Sequence, residues 1–500
     1  MYKQSDYRSK LFNVIGELEG KLIEREQVIR LVLLAIFSKH HVFLIGLPGV
    51  AKTRLLKIIS GIVSNGSFWE ILMTKETKEK HLLGEDIEED GLEKVLKVFD
   101  HENIARFQKG ANFSILKTIL SFFKIGEKAY QSGLSLDEIK KQMSMLNHHF
   151  VLFDEMFKAS DDLLVSCLPM LNERYYTSKG KAIPVPLNSL FSASNELPFG
   201  EKIEPFVDRI LFWYEVERIQ KKENFVKYIQ GEFDASKETK IKFTLEEIEF
   251  CFLSANAIKI LPHIEDLYSE LEANIFNAGI KVSNRKFGPE YIIRALKTSA
   301  WLNGRDAIDV SDLLLVQHMA WQTKIERDNL KTVVHDTIFG NKAQVADFVN
   351  GILKDYKTAD GKYKEFCQDA VAFNMEFMGR QGNIDYNNFL RDLDEILQIL
   401  IELKDKMCEV YDLYQYNLEV SDLINKNIFL TPFYINTFEF KIKTEDNKEE
   451  NSASEAQSVI TLIESFILER TNDIELLKKW RTSNATMSYY QSNRNNIRLH

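Results

Sequence analysis

Val42-Phe43-Leu44-Ile45-Gly46-Leu47-Pro48-Gly49-Val50-Ala51-Lys52-Thr53 decides the fold: an apolar run breaks into a Gly/Pro turn and ends on Lys-Thr before a new apolar helix. Val42 to Ile45 reads as a strand buried on both faces. Arg54 to Val63 reads as a helix, because Leu55, Leu56, Ile58, Ile59, Ile62 and Val63 recur at helical spacing. The turn between them therefore aims backbone N–H groups and the positive end of a helix dipole at one point, where an anion belongs. In such a loop Gly46, Pro48, Gly49, Val50 and Ala51 form the cradle, Lys52 reaches the β- and γ-phosphates of a nucleotide, and the Thr53 hydroxyl ligates Mg²⁺. Ala51 stands where the general pattern has a second Gly; Ala can hold a negative φ and adds only a methyl, so the loop is expected to close on phosphate all the same.

Working outward, a second apolar run, Phe150 to Phe153, ends in Asp154-Glu155. Asp154 suits Mg²⁺ through its water shell, and Glu155, projecting differently from the next position, suits activation of the water that attacks the γ-phosphate. A third strand, Ser189 to Ala193, brings Asn195 to the same edge of a parallel sheet, where its amide can orient that water. Between them, Tyr175 to Pro184 reads as a hairpin with Lys179-Gly180-Lys181 at its tip, and Phe206 to Phe212 sets Arg209 among apolar residues.

These stretches resemble the MoxR branch of AAA+ ATPases, most of all its RavA-like members. The likeness runs from about Leu11 to Trp321 and is carried by the phosphate loop with its Ala51, Ile23-Glu24-Arg25, Leu72-Met73-Thr74, Asp154-Glu155, Leu171-Asn172-Glu173-Arg174, Ser194 to Pro198 and Asp208-Arg209. It implies an α/β fold: a P-loop core with a parallel sheet flanked by helices, an α-helical lid and a mainly α-helical C-terminal arm. By that similarity Asn195 is the sensor-one residue, Arg209 the arginine finger, and Arg285 in Val282-Ser283-Asn284-Arg285 the sensor-two residue of the lid, poised before a helix where it could touch the γ-phosphate on closure. The resemblance further implies a homo-oligomeric ring, a hexamer, with ATP between protomers, and a protein client, with von Willebrand factor A-domain proteins as the family's common partners.

The expected domains are 1–230 for the core, 231–330 for the lid and 331–500 for the arm. Lid helices are expected over Leu245 to Phe252, Ile264 to Ile275, Phe287 to Leu302 and Val310 to Trp321. Lys52 and Asp154 stand 102 positions apart, about forty more than the resemblance leads one to expect, so a helical insertion is read near 111–149, with Ser135 and Glu138 as a capping box. In the arm, helices are expected over Val345 to Tyr356, Lys362 to Met378, Asn387 to Asn417 and Ser458 to Trp480, with a short β segment over 427–442.

Composition bounds the function. The 500 residues are 45% hydrophobic, enough for a core in each domain. The net charge of −10 argues against nonspecific nucleic-acid binding as the whole function. No apolar run reaches the roughly 18 residues of a membrane span, and a cytoplasmic protein is expected. Cys167, Cys251, Cys367 and Cys408 are scattered without metal-binding or disulfide spacing. Beside the leading reading, an ATPase that remodels a partner protein, stand a nucleic-acid-stimulated motor, which Lys179 and Lys181 permit, and a non-catalytic nucleotide switch, which could dispense with Glu155 and Arg209.

Overall fold

The structure, a computed structural model, describes residues 3–83, 144–178, 180–197, 201–231, 239–340 and 386–431, with isolated helical residues between 351 and 365 and between 465 and 482. The chain divides into two compact units, one of Met1–Ile338 with Leu423–Pro432, the other of Phe339–Asp422 with Phe433–His500.

In the first unit, α1 (Gln4–Glu19) leads into α2 (Glu26–Ser38), of whose 13 residues 11 are buried. A helix apolar on every side belongs inside the fold, and this one stops where Lys39 turns left-handed, at φ 57°. There follow β1 (Val42–Ile45), α3 (Lys52–Ser60), β2 (Phe68–Leu72), β3 (Phe150–Asp154), the hairpin β4 (Tyr175–Ser178) and β5 (Lys181–Pro184), β6 (Ser189–Ser194), α4 (Glu204–Arg209) and β7 (Phe212–Glu215). Five of these strands form one parallel sheet in the order β2-β3-β6-β1-β7. Every residue of β1 and β6 is buried, as parallel strands covered on both faces require. The register sets Ile45 opposite Ser194 and Glu215, and Asp154 opposite Leu72 and Ala193. The carboxyl ends of all five strands thus share one edge, and whatever follows β1, β3 and β6 converges there.

After β7 the described residues form α5 (Lys222–Ile229), α6 (Leu245–Ser254), α7 (Pro262–Asn277), α8 (Asn284–Phe287), α9 (Ile292–Leu302) and α10 (Lys324–Phe339). The helix expected from Phe287 is interrupted at Gly288-Pro289 and resumes at Ile292, because proline lacks an N–H and its predecessor avoids the helical region. The helix expected over Val310 to Trp321 gives way after Leu313 to a 3-10 turn, Leu314–His318. Leu313, Leu314, Leu315 and Val316 are all buried there, which a single amphipathic face would not achieve.

The segment 423–432 completes this unit. Asp312 is fully buried and held by Arg305 through two bonds of 2.8 Å and by Ser299 at 2.7 Å. Asn427 donates to Ser311 at 2.9 Å and accepts from Asn303 at 3.0 Å, while Asn303 accepts from the Ile428 N–H at 2.8 Å. Burial raises the Asp312 carboxyl pKa, with the Arg305 guanidinium opposing it. Gln27 of α2 donates to the Phe429 carbonyl at 3.1 Å, and the Phe429 ring is fully buried. The β segment expected from 427 is therefore corrected at its start: residues 428–430 are turn and bend, and 432–442 lie outside the described residues. Phe429→Ala is expected to cost about 3–5 kcal/mol of stability, read as a fall in the urea midpoint; an unchanged midpoint would show that this segment does not belong to the cooperative core.

In the second unit, the helix α11 (Tyr386–Lys426), which belongs to it as far as Asp422, runs nine residues past the expected end. Leu393, Ile396, Leu400, Leu403 and Met407 are buried at alternating spacings of three and four, the seam of a bundled helix. Of the expected insertion near 111–149, only 144–149 is described, with a 3-10 turn at Met145–Asn147. The other arm helices fall mostly outside the described residues.

Candidate active site

The turn after β1 shows why its residues are small. A Cβ on Gly46 would stand 2.4 Å from the Val216 carbonyl oxygen, and Gly49 holds φ 83°. Ala51 departs from expectation. It adopts φ 65° and ψ 29°, the left-handed region, at a cost of about 1–2 kcal/mol for a residue with a Cβ. Among the described residues, the N–H groups of Gly49, Val50 and Ala51 donate to no acceptor, so the loop presents free donors at the start of α3 where a phosphate fits. Lys52 is 7% exposed; its Nζ donates to the Gly46 carbonyl at 2.7 Å, the Leu47 carbonyl at 3.2 Å and Asn195 Oδ1 at 2.7 Å. Burial lowers its pKa, while Glu155 and Asp154 favour the charged form.

The two carboxylates separate as the sequence suggests. Thr53 Oγ1 donates to Asp154 Oδ2 at 2.8 Å, joining the hydroxyl and the carboxylate that suit a divalent cation. Glu155 sits at a left-handed corner, φ 53°, and there its Oε1 accepts from Asn195 Nδ2 at 2.7 Å. Its other oxygen, Oε2, is buried without a hydrogen-bond partner and has Lys158 Nζ at 3.4 Å. Lys52, Thr53, Asp154, Glu155 and Asn195 thus form one connected cluster. Asn195 is the link between cation and base, so Asn195→Asp, which exchanges the donated bond to Glu155 for like-charge repulsion, is expected to lower kcat by roughly 10²-fold; a steady-state rate equal to that of the unsubstituted protein would remove Asn195 from the site.

Arg209 and Arg285 are not in this cluster. Arg209 ends α4, just ahead of β7, and so lies at the amino edge of the sheet. Both residues line a cavity of about 770 Å³ with His40, His41, Arg174 and Arg294. Strands of four to six residues, at about 3.3 Å per residue, hold that edge away from Lys52. Ser283 Oγ donates to Asp208 Oδ1 at 2.6 Å, which brings the start of α8 beside the end of α4. Arg209 donates through Nη1 to the Pro205 carbonyl at 2.5 Å and keeps a buried Nε without a partner; burial lowers its pKa, and the neighbouring Arg285 adds to that. Arg285, expected to reach a γ-phosphate on closure, borders the same cavity as Arg209.

Sequence reasoning did not single out Lys158, whose one signal is a cation three residues beyond Glu155. Nor did it single out Val216, whose carbonyl fixes Gly46.

Residues 41–210 match the AAA domain of the dynein-related subfamily and residues 259–334 an AAA lid domain. The chaperone MoxR1 of Mycobacterium tuberculosis is 24% identical over 40% of this chain and 43% of its own. The chain carries an AAA domain with an AAA lid and is similar to MoxR-type AAA+ proteins. This MoxR-like chain is also 27% identical to two uncharacterised proteins of Methanocaldococcus jannaschii, one over 80% of this chain and 90% of its own, the other over 78% and 89%. A protein of Cytophaga hutchinsonii known from a crystal structure covers 66% of the chain at 17% identity, with 95% of its own length matched and a TM-score of 0.47. For the MoxR-like fold, the parallel five-strand sheet with its helices and the AAA lid are as expected, and nucleotide binding follows from the family. Among the described residues no helix is long and apolar enough to cross a membrane.

Proposed function

We propose that this protein is a Mg²⁺-dependent ATPase working as a homo-oligomeric ring, with ATP bound between protomers, and that its motion remodels or helps assemble a partner protein. One observation carries the reading. The phosphate loop with its base lies at one edge of the sheet and the two arginines lie at the other, so a complete site needs a second copy of the chain.

At the first edge, the free N–H groups of Gly49, Val50 and Ala51 and the Lys52 ammonium bind the phosphates. Thr53 and Asp154, joined at 2.8 Å, would hold Mg²⁺, a cation that completes its shell with water and substrate oxygens. When bound, Mg²⁺ supplies positive charge for the phosphate oxygens. Glu155 Oε1 is engaged by Asn195, leaving Oε2 to take the proton of the attacking water. Arg209 and Arg285 supply charge to the neighbouring protomer's γ-phosphate. The family's association with von Willebrand factor A-domain proteins makes such a protein the first client to try.

The experiment is turnover with and without added single-stranded and double-stranded DNA and RNA. A protein-directed ATPase is expected to be unaffected, with weak nucleic-acid affinity and a shallow salt slope. A several-fold stimulation, lost when Lys179 and the exposed Lys181 are changed to Ala, would establish a nucleic-acid motor instead.

A further inference from the structure

Arg294 has no part in the reading above, yet it borders the same cavity as Arg209 and Arg285. Its guanidinium lies over the Phe252 ring at 4.8 Å from the centroid, and a stacked ring holds a planar cation in place without neutralising it. The helix that carries it is tied at its first turn. Tyr291 Oη donates to Asn172 Oδ1 at 3.0 Å, and the Tyr291 ring stacks on His40 at 5.8 Å and 25°. His40 adds no charge of its own, since burial, with Arg294 and Arg174 nearby, holds its pKa at about 3.

The other cations around the cavity are committed. Arg174 donates to the Lys39 carbonyl at 2.7 Å and the Asn188 carbonyl at 3.3 Å, and Lys39 pairs with Glu249. By contrast, among the described residues the guanidiniums of Arg285 and Arg294 meet no hydrogen-bond acceptor or carboxylate, and Arg209 meets only the carbonyl of its own helix. Glu173 and Glu290 line the cavity, but neither forms an ion pair with any of the three. Three uncommitted guanidiniums around about 770 Å³ make a receptacle of small-ligand size for a multiply charged anion.

We infer that Arg294 is a third guanidinium that binds the phosphates of the nucleotide held by a second copy of this chain, beside Arg209 and Arg285. The inference rests on the ring reading. A cation already held in place by Phe252 acts alike on ground and transition states, so Arg294 contributes to affinity and assembly, whereas Arg209 contributes to the chemical step.

The test is sedimentation velocity of Glu155→Gln protein titrated with MgATP, alone and combined with Arg294→Met, Arg294→Lys or Phe252→Leu, with near-UV circular dichroism as the folding control. Arg294→Met is expected to raise the ATP concentration at half-assembly roughly tenfold or more, with Arg294→Lys and Phe252→Leu intermediate. In the chain with Glu155 intact, Arg294→Met is expected to raise KM and leave kcat within about twofold. Assembly of the Glu155→Gln protein matched by its Arg294→Met derivative, or a fall in kcat at constant KM, overturns the inference alone. Failure of the Glu155→Gln protein itself to assemble overturns the ring reading and this inference with it.

Discussion

Arg209→Ala is expected to lower ATP turnover by roughly 10³- to 10⁵-fold, about 4–7 kcal/mol of transition-state stabilisation, while leaving ATP affinity nearly unchanged. The reason is positional. Arg209 stands at the amino edge of the sheet, away from its own Lys52, and its Nε lies buried without a partner. Its loss therefore removes nothing from the pocket in which the same chain binds nucleotide. Mixing separates action between copies from a structural role: Arg209→Ala protein retains the phosphate loop and base, and Glu155→Gln protein retains the arginine. Mixed rings contain interfaces with both intact parts and are expected to regain activity. If native mass spectrometry shows mixed assemblies and turnover stays absent, Arg209 supports the fold and does not reach a neighbour's nucleotide.

The second large effect is the contrast between Lys52→Ala and Glu155→Gln. Lys52 is the hub of three contacts, to Gly46, Leu47 and Asn195, and its removal strips the phosphate cradle of its cation. ATP binding and hydrolysis are expected to disappear together while the fold persists. Glu155→Gln keeps an oxygen that can accept from Asn195 and loses only the proton acceptor, so affinity persists while kcat drops roughly 10²- to 10⁴-fold. Calorimetry on the two variants decides the matter; equal loss of affinity in both would mean that the roles of cation and base are wrongly divided.

The cluster at the phosphate loop was legible because each of its members follows a buried strand or opens a helix. An apolar run that ends in Asp-Glu or Asn needs only the sheet to place it. Two strands were not read. In β2 buried and half-buried residues alternate, and β7 follows closely on α4, so neither carries a long apolar run of its own. The backbone of Ala51 was misjudged for a related reason: the sequence shows that a small side chain stands there and leaves open the φ that the turn adopts, here 65°. Arg285 illustrates a deeper gap. Its motif was recognisable, but which edge of the sheet it borders depends on how α8 lies against α4, and that is fixed by the contact of Ser283 with Asp208, 75 positions away. The return of the chain at Asn427 had no local signal, because its partners are Asn303, Ser311 and Asp312.

That return makes the ATPase unit a host and residues 339–422 a guest, spliced in with both ends secured in the host's own fold. A guest so held can change in length and content over evolution without reopening the host's interior, provided that Ile424, Asn427 and Phe429 are kept. A single cut within the guest would likewise leave the later fragment clasped by Gln27 and Asn303, so the nicked protein should travel as one species until it is denatured.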